Sequence, residues 1–222
     1  MFETTIREGV LQASAPGARW LVTGWNGGYV DADAAYNVAV PEGWNRTDLG
    51  AYATERRSAA GFDDSGPTLL TGVDMKHAAG AELDGVRAVA TVGISNPAAL
   101  PLDPDGTEPA GLVGADGPET GTVNLLVGTD RSLSNGALAT LLAVAVEAKA
   151  ATLQQLTGFS GTTSDAVAVG TAPDGEEATF AGSATRVGDA TRAAVRAALQ
   201  TSFDSRFAES EPPATVSAAE AG

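Results

Sequence analysis

The chain has no cysteine and one histidine, His77, among its 222 residues. The first absence excludes disulfides, thiol nucleophiles and thiolate-bound metals. The second excludes a polyhistidine zinc site and leaves any Ser-His-Asp arrangement dependent on His77 alone. Lysine is nearly missing too, since every one of the 13 cationic residues except Lys76 and Lys149 is arginine. Against 28 Asp and Glu the net charge is -15, with no basic cluster. Nucleic-acid partners are therefore not expected, because phosphate binding needs grouped Lys and Arg. The longest mainly apolar run, Ala137 to Val146, falls short of the roughly 18–20 residues a membrane span needs. Met1-Phe2-Glu3-Thr4-Thr5 lacks the basic and apolar regions of a signal peptide. These features predict a cytoplasmic protein with no membrane association; homo-oligomerisation is left open.

What is abundant is acid and small residues, with aromatics at only 5%. An acid-rich, lysine-poor composition suits a protein adapted to high salt. Near 1 M salt the Debye length is roughly 3 Å, so recognition must rest on shape and short hydrogen bonds rather than long-range steering.

The length suggests one domain, taken here as residues 1–206, followed by a disordered acidic tail over 207–222. The pattern predicts a hairpin of Gly9–Ala13 and Arg19–Thr23 around Pro16-Gly17, then a strand from Tyr36 to Val40. A helix capped by Thr47 or Asp48 runs to about Ala60, and strands follow at Thr68–Val73 and Val86–Ile94. Residues 98–119, rich in Pro, Gly and Asp, read as a long surface loop that could serve as a lid. A strand at 122–127 leads to a helix from about Asn135 to Leu156. Strands at 165–171 and 178–181 form a second expected hairpin, and a helix spans about Asp189 to Arg206. The expected fold class is α+β: a mixed, largely antiparallel sheet packed by a long central helix and a C-terminal helix.

Chemistry-bearing residues concentrate between Gly121 and Asp165. The long helix carries two charges, Glu147 and Lys149, about 200° apart around the axis, so they cannot pair on one face. Glu147 has Ala143, Val144, Ala150 and Ala151 as helical neighbours and is expected to point into an apolar surround, where a carboxylate could act as base or acid. The Lys149 stem is expected to be buried with its head reaching out. Ser160-Gly161-Thr162-Thr163-Ser164-Asp165 offers hydroxyls, N–H donors and a carboxylate at a strand entrance, with Gly161 permitting close backbone approach. Asn124 lies inside an apolar strand, Asn96 ends a strand, and His77 reads as a surface residue. The Trp25-Asn26-Gly27-Gly28 loop holds too little to be a phosphate site.

Five stretches, in this order, carry a family resemblance: Thr91-Val-Gly-Ile-Ser-Asn-Pro97, Gly121-Thr-Val-Asn124, Glu147-Ala-Lys149, Ser160-Gly-Thr-Thr-Ser-Asp165 and Ala181-Gly-Ser-Ala-Thr-Arg-Val-Gly188. Together they resemble the adenosylcobinamide amidohydrolase (CbiZ) family over about Gly66 to Leu199, and more loosely over the N-terminal strands. The resemblance implies hydrolysis of the amide joining aminopropanol to the corrinoid ring of adenosylcobinamide, giving adenosylcobyric acid for cobalamin salvage, in a halophilic archaeon. The cobalt-containing corrinoid is then the small-molecule substrate; no cofactor or metal site is expected. The family pattern usually has His where this chain has Ala184, and often Thr where it has Ser164.

Amide hydrolysis needs an activated nucleophile, donors for the oxyanion and a proton for the leaving amine. The expected catalytic set is Glu147, Lys149, Asp165 and Asn124, with Glu147 or Asp165 as base. Ser95, Asn96, Gly121, Thr122, Gly161 and Thr162 are the expected substrate-binding residues. A hydroxyl nucleophile, Thr162 or Thr122, each directly after a glycine, is one alternative. A non-catalytic corrinoid-binding or carrier protein is another.

Overall fold

A computed structural model describes residues 1–98 and 121–212. In chain order the elements are β1 (Glu3–Arg7), β2 (Val10–Ser14), β3 (Arg19–Val22), β4 (Gly28–Asp31), β5 (Ala34–Ala39), α1 (Leu49–Ala59), β6 (Thr68–Thr71), a 3₁₀ turn at Met75–His77, β7 (Ala79–Leu83), β8 (Val86–Val92), β9 (Val123–Thr129), β10 (Ser132–Leu133), α2 (Asn135–Thr157), β11 (Ala166–Thr171), β12 (Glu177–Ala178) and α3 (Arg186–Arg206).

These strands build two main sheets. One runs β1-β2-β5-β6; the other runs β4-β3-β11-β9-β8-β7. Most pairings are antiparallel. The parallel ones in the main sheets, β5 with β6 and β9 with β11, are each bridged by a helix, as parallel neighbours require.

Alternation of side chains sorts the chain into four layers. Val10, Tyr36 and Val38 on the outer face of the four-stranded sheet pack with Tyr52 and Ala60 of the α1 region. Leu11, Ala13 and Leu69 from that sheet meet Trp20, Val22, Val89, Leu126 and Ala168 from the other, filling the gap between the sheets. Val86, Ala88, Val123, Leu125 and Val167 face the opposite way, onto Leu138, Leu141, Val195 and Leu199 of α2 and α3. Strand β9 is buried along its whole length. The expected α+β class with a central and a C-terminal helix holds, with the single expected sheet resolved into two face-to-face sheets and a short β10–β12 ladder.

Neither expected hairpin forms. β2 pairs with β1 and β5, whereas β3 pairs with β4 and β11, so Pro16-Gly17 is a corner between sheets. Leu11 and Ala13 then face Trp20 and Val22 across the gap instead of lining one sheet. β12 pairs with β10 in parallel rather than folding back on β11. Strand β7 fills the sheet edge beside β8 through the Asp84-Gly85 turn, where no strand was expected.

The helix ends follow local chemistry. Ser134 accepts from the Ala137 N–H to cap α2, and Gly158 closes it in the left-handed region at φ 79. Thr185 caps α3 through the Gly188 N–H, which starts that helix at Arg186, before the expected Asp189. Asp48 does not cap α1, because its carboxylate is taken by Arg46. Helix α2 is 23 residues long and apolar enough to cross a membrane by length and composition, yet half of that stretch is buried against the protein itself. The expected lid loop lies outside the described residues, as does most of the expected tail.

A Cβ on Gly170 would come within 2.8 Å of the Trp20 ring, which is wholly buried and cannot swing away. Gly170→Ala should therefore cost about 1–3 kcal/mol by overpacking, lowering the thermal midpoint by roughly 2–12 °C. A melting curve within error of wild type would contradict this packing.

Candidate active site

β8 runs antiparallel to β9, and β9 runs parallel to β11. The end of β8 and the starts of β9 and β11 therefore coincide at one end of the sheet. Ser95 and Asn96 follow β8, Gly121 and Thr122 precede β9, and Ser160 to Asp165 precede β11. Backbone bonds sew these segments together: Ala98 N–H to the Gly161 carbonyl at 2.8 Å, Thr163 N–H to the Asn96 carbonyl at 3.2 Å, and a bridge between Pro97 and Thr162. Close approach needs glycine at two places. A Cβ on Gly121 would fall 2.2 Å from both N and Oγ of Ser95, and one on Gly161 would fall 2.3 Å from the Asp165 carboxylate and 2.8 Å from Lys149 Nζ.

At the base of this loop lies a buried ion pair. Lys149 Nζ donates to Asp165 Oδ2, with the two side chains only 8% and 10% exposed. The Lys149 head is thus turned inward instead of reaching out as expected. Asp165 accepts further bonds from Thr162 N–H at 3.2 Å, Thr162 Oγ at 2.5 Å and Val123 N–H at 2.9 Å. Those donors offset the desolvation that a buried carboxylate suffers. They also mean that the Thr162 N–H is already committed to Asp165 and does not serve as an oxyanion donor.

Above the pair sits a layer of hydroxyls. Thr122 Oγ and Ser164 Oγ are 2.8 Å apart, Ser164 Oγ donates to the Gly121 carbonyl at 3.2 Å, and Asn96 Nδ2 donates to Thr163 Oγ at 2.7 Å. Asn96 Oδ1 is buried without a donor among the described residues. Thr163 and Ser164 belong to the loop expected to supply hydroxyls, though neither was named among the expected substrate-binding residues.

The structure gathers Lys149, Asp165, Ser95, Asn96, Gly121, Thr122, Gly161 and Thr162 as expected, but leaves two residues out. Glu147 is not in an apolar surround. It is exposed and bonded to Arg192 of α3 at 2.5 Å, because the alanines flanking it belong largely to the solvent side of α2. Asn124 faces the gap between the sheets, where its amide donates to Asn37 Oδ1 at 2.8 Å and the Leu70 carbonyl at 2.9 Å. Asn37 in turn donates to Thr91 Oγ at 3.0 Å. Asn124 therefore joins the two sheets from below the site. His77, half-buried, bonds Ser205 of α3 at 2.9 Å, and burial is the first cause lowering its pKa.

Ala184 lies just before α3, whose Arg186 bonds Asp84 in the β7–β8 turn. That turn is at the opposite end of β8 from Asn96, so Ala184, where the resemblance led a His to be expected, lies away from the cluster. Among the described residues no three His, Asp or Glu side chains group closely enough to hold a metal ion. A cavity of about 60 Å³ lined by Phe2, Trp20, Gly128 and Gly170 lies at that far end of the sheet too, and is far too small for a macrocycle.

The profile of the adenosylcobinamide amidohydrolase family matches residues 2–211. The chain belongs to that family. It is 54% identical over 221 residues to the adenosylcobinamide amidohydrolase of Halobacterium salinarum, covering 99% of this chain and 94% of that protein. It is 29% identical over 176 residues to the adenosylcobinamide amidohydrolase of Methanosarcina mazei, covering 75% of this chain and 80% of that one. The Halobacterium relative agrees with the high-salt composition, and the matched span includes the N-terminal strands, where the resemblance was looser.

The surface position of Glu147 yields a direct test. Exposed pairs contribute about 0–1 kcal/mol, so Glu147→Gln should shift stability by no more than that and leave turnover of the family's substrate within twofold of wild type. A hundredfold loss of turnover would return Glu147 to the reaction centre.

Proposed function

We propose that the chain hydrolyses the amide joining aminopropanol to the corrinoid ring of adenosylcobinamide, releasing aminopropanol and adenosylcobyric acid, as a cytoplasmic salvage enzyme. The observation that carries the site assignment is the buried Lys149–Asp165 pair beneath a layer of hydroxyls at the joint of β8, β9 and β11. The buried pair fits an enzyme better than a carrier, since desolvating two charges is an expensive way to build a passive surface.

In this reading the attack on the amide carbonyl falls to the hydroxyl layer. The Lys149 ammonium supplies positive charge where the oxyanion develops, and charge placed in a desolvated site acts more strongly than in water. Asp165 holds Lys149, Thr162 and the Val123 N–H in fixed relation, so the two strands and the loop present one rigid geometry.

The ring of the substrate is large and flat and calls for an apolar face. Thr23 bonds Val167 through both backbone and hydroxyl, which brings the β3–β4 turn to the same end of the sheet as the loop before β11. Trp25 in that turn is 52% exposed and is assigned to stacking on the macrocycle.

Release of aminopropanol from adenosylcobinamide is the assay. Wild type should release it. Lys149→Met and Asp165→Asn should each lower kcat by about 10²-fold or more while circular dichroism stays native. Trp25→Ala should raise KM with kcat nearly unchanged. A wild-type protein that binds the corrinoid but releases no aminopropanol would leave the carrier reading in its place.

A further inference from the structure

The Gly121–Thr122 peptide bond sits inside a ring of hydroxyl contacts with a direction built into it. Ser164 Oγ donates its one proton to the Gly121 carbonyl at 3.2 Å. Its contact with Thr122 Oγ, at 2.8 Å, must then be an acceptor contact, with Thr122 the donor. The Thr122 hydroxyl proton thus points at Ser164, and the Ser164 proton points at the carbonyl oxygen of the residue before Thr122. Thr122 Oγ is separated from that carbonyl carbon only by its own Cβ, Cα and N, so attack closes a five-membered ring.

The surroundings clamp this peptide. Asp165 Oδ1 holds the Val123 N–H at 2.9 Å and the Gly93 N–H holds the Thr122 carbonyl at 3.2 Å, fixing the Thr side. On the other side Gly121 is pressed so close to Ser95 that a Cβ there would fall 2.2 Å from it, and glycine leaves the carbonyl unhindered. Thr122 is 5% exposed, while Ser164 stands at the surface where water can arrive.

We infer that the chain cleaves itself between Gly121 and Thr122. Thr122 Oγ adds to the Gly121 carbonyl carbon as its proton passes to Ser164 Oγ and the Ser164 proton passes to the carbonyl oxygen. The adduct collapses by breaking the Gly121–Thr122 C–N bond; the proton returns through Ser164 to the Thr122 nitrogen, leaving Gly121 as an ester on Thr122 Oγ. One water hydrolyses that ester to the Gly121 carboxyl group, the Thr122 hydroxyl and a free Thr122 α-amine.

The product resolves a shortage. With no cysteine, a single histidine bonded to Ser205, and the Asp165 carboxylate taken up by Lys149, Thr162 and the Val123 N–H, the described residues of the intact chain place no free base against the Thr122 hydroxyl. A freed α-amine titrates at about 7.7–8.0 when unperturbed and would stand on the same residue as the hydroxyl it activates, an arrangement that suits nucleophilic attack on an amide. This part of the inference rests on the proposal that the cluster is the hydrolytic centre, and it names Thr122 as the nucleophile.

Intact mass and N-terminal sequencing of the full chain, purified in molar KCl, test it alongside aminopropanol release. Two associated chains, residues 1–121 and 122–222 with Thr122 as the new N-terminus, are expected. Thr122→Ala should remain one chain with native circular dichroism, Thr122→Ser should still cleave, and Ser164→Ala should cleave at least about tenfold more slowly. A single uncut wild-type chain overturns the inference; if that uncut chain still releases aminopropanol, the proposed hydrolase stands without it. Cleavage persisting in Thr122→Ala also overturns it. Two chains that release no aminopropanol uphold the cleavage and sink the hydrolase reading instead.

Discussion

The ion pair between Lys149 and Asp165 is the contact on which the polar end of this molecule depends. One partner comes from the middle of a long helix and the other from the last residue before a strand. Both are nearly cut off from water, so each charge is costly to keep there without the other. Through Asp165 the pair reaches the Thr162 hydroxyl and the Val123 N–H, and through the loop it reaches the carbonyl of Asn96. Three chain segments distant in sequence are held at one point by a contact of two side chains. Removing one partner of such a buried pair typically costs about 3–5 kcal/mol, so its loss would loosen the loop as well as the charge.

The layers explain why this point can be so dry. β9 lies in the interior of its sheet, with helices on one face and the second sheet on the other. A strand buried on both faces opens to solvent only at its ends. Polar chemistry in such a structure is forced to a strand terminus, and the terminus used is where three neighbouring strands begin or end together.

Much of this was legible in the residues. Lysine is so scarce that Lys149 drew notice by its presence alone, and the hydroxyl-rich run ending in Asp165 marked the loop it pairs with. The apolar β9 and α2 were placed to within a residue or two of their observed bounds. Glu147 was misread for a definite reason: alanine tolerates both faces of a helix, so an alanine-flanked carboxylate does not reveal which side it takes. The failed hairpins have a similar origin, because alternation tells which residues face the core without telling which sheet a strand joins. Asn124 stands out in the sequence as an amide inside an apolar strand, but its acceptors, Asn37 and the Leu70 carbonyl, come from strands distant in sequence that no local pattern could name.

The bonds linking Asn124, Asn37 and Thr91 have a mechanical consequence. Apolar faces alone would let two stacked sheets slide by small steps at little cost, since one methyl contact replaces another. A directional bond between amides in a dry gap breaks at the first step and finds no substitute. The sheets are therefore keyed against shear directly below the site. Room for a bulky substrate must come from the segments beyond the strand ends, and the floor they stand on does not yield.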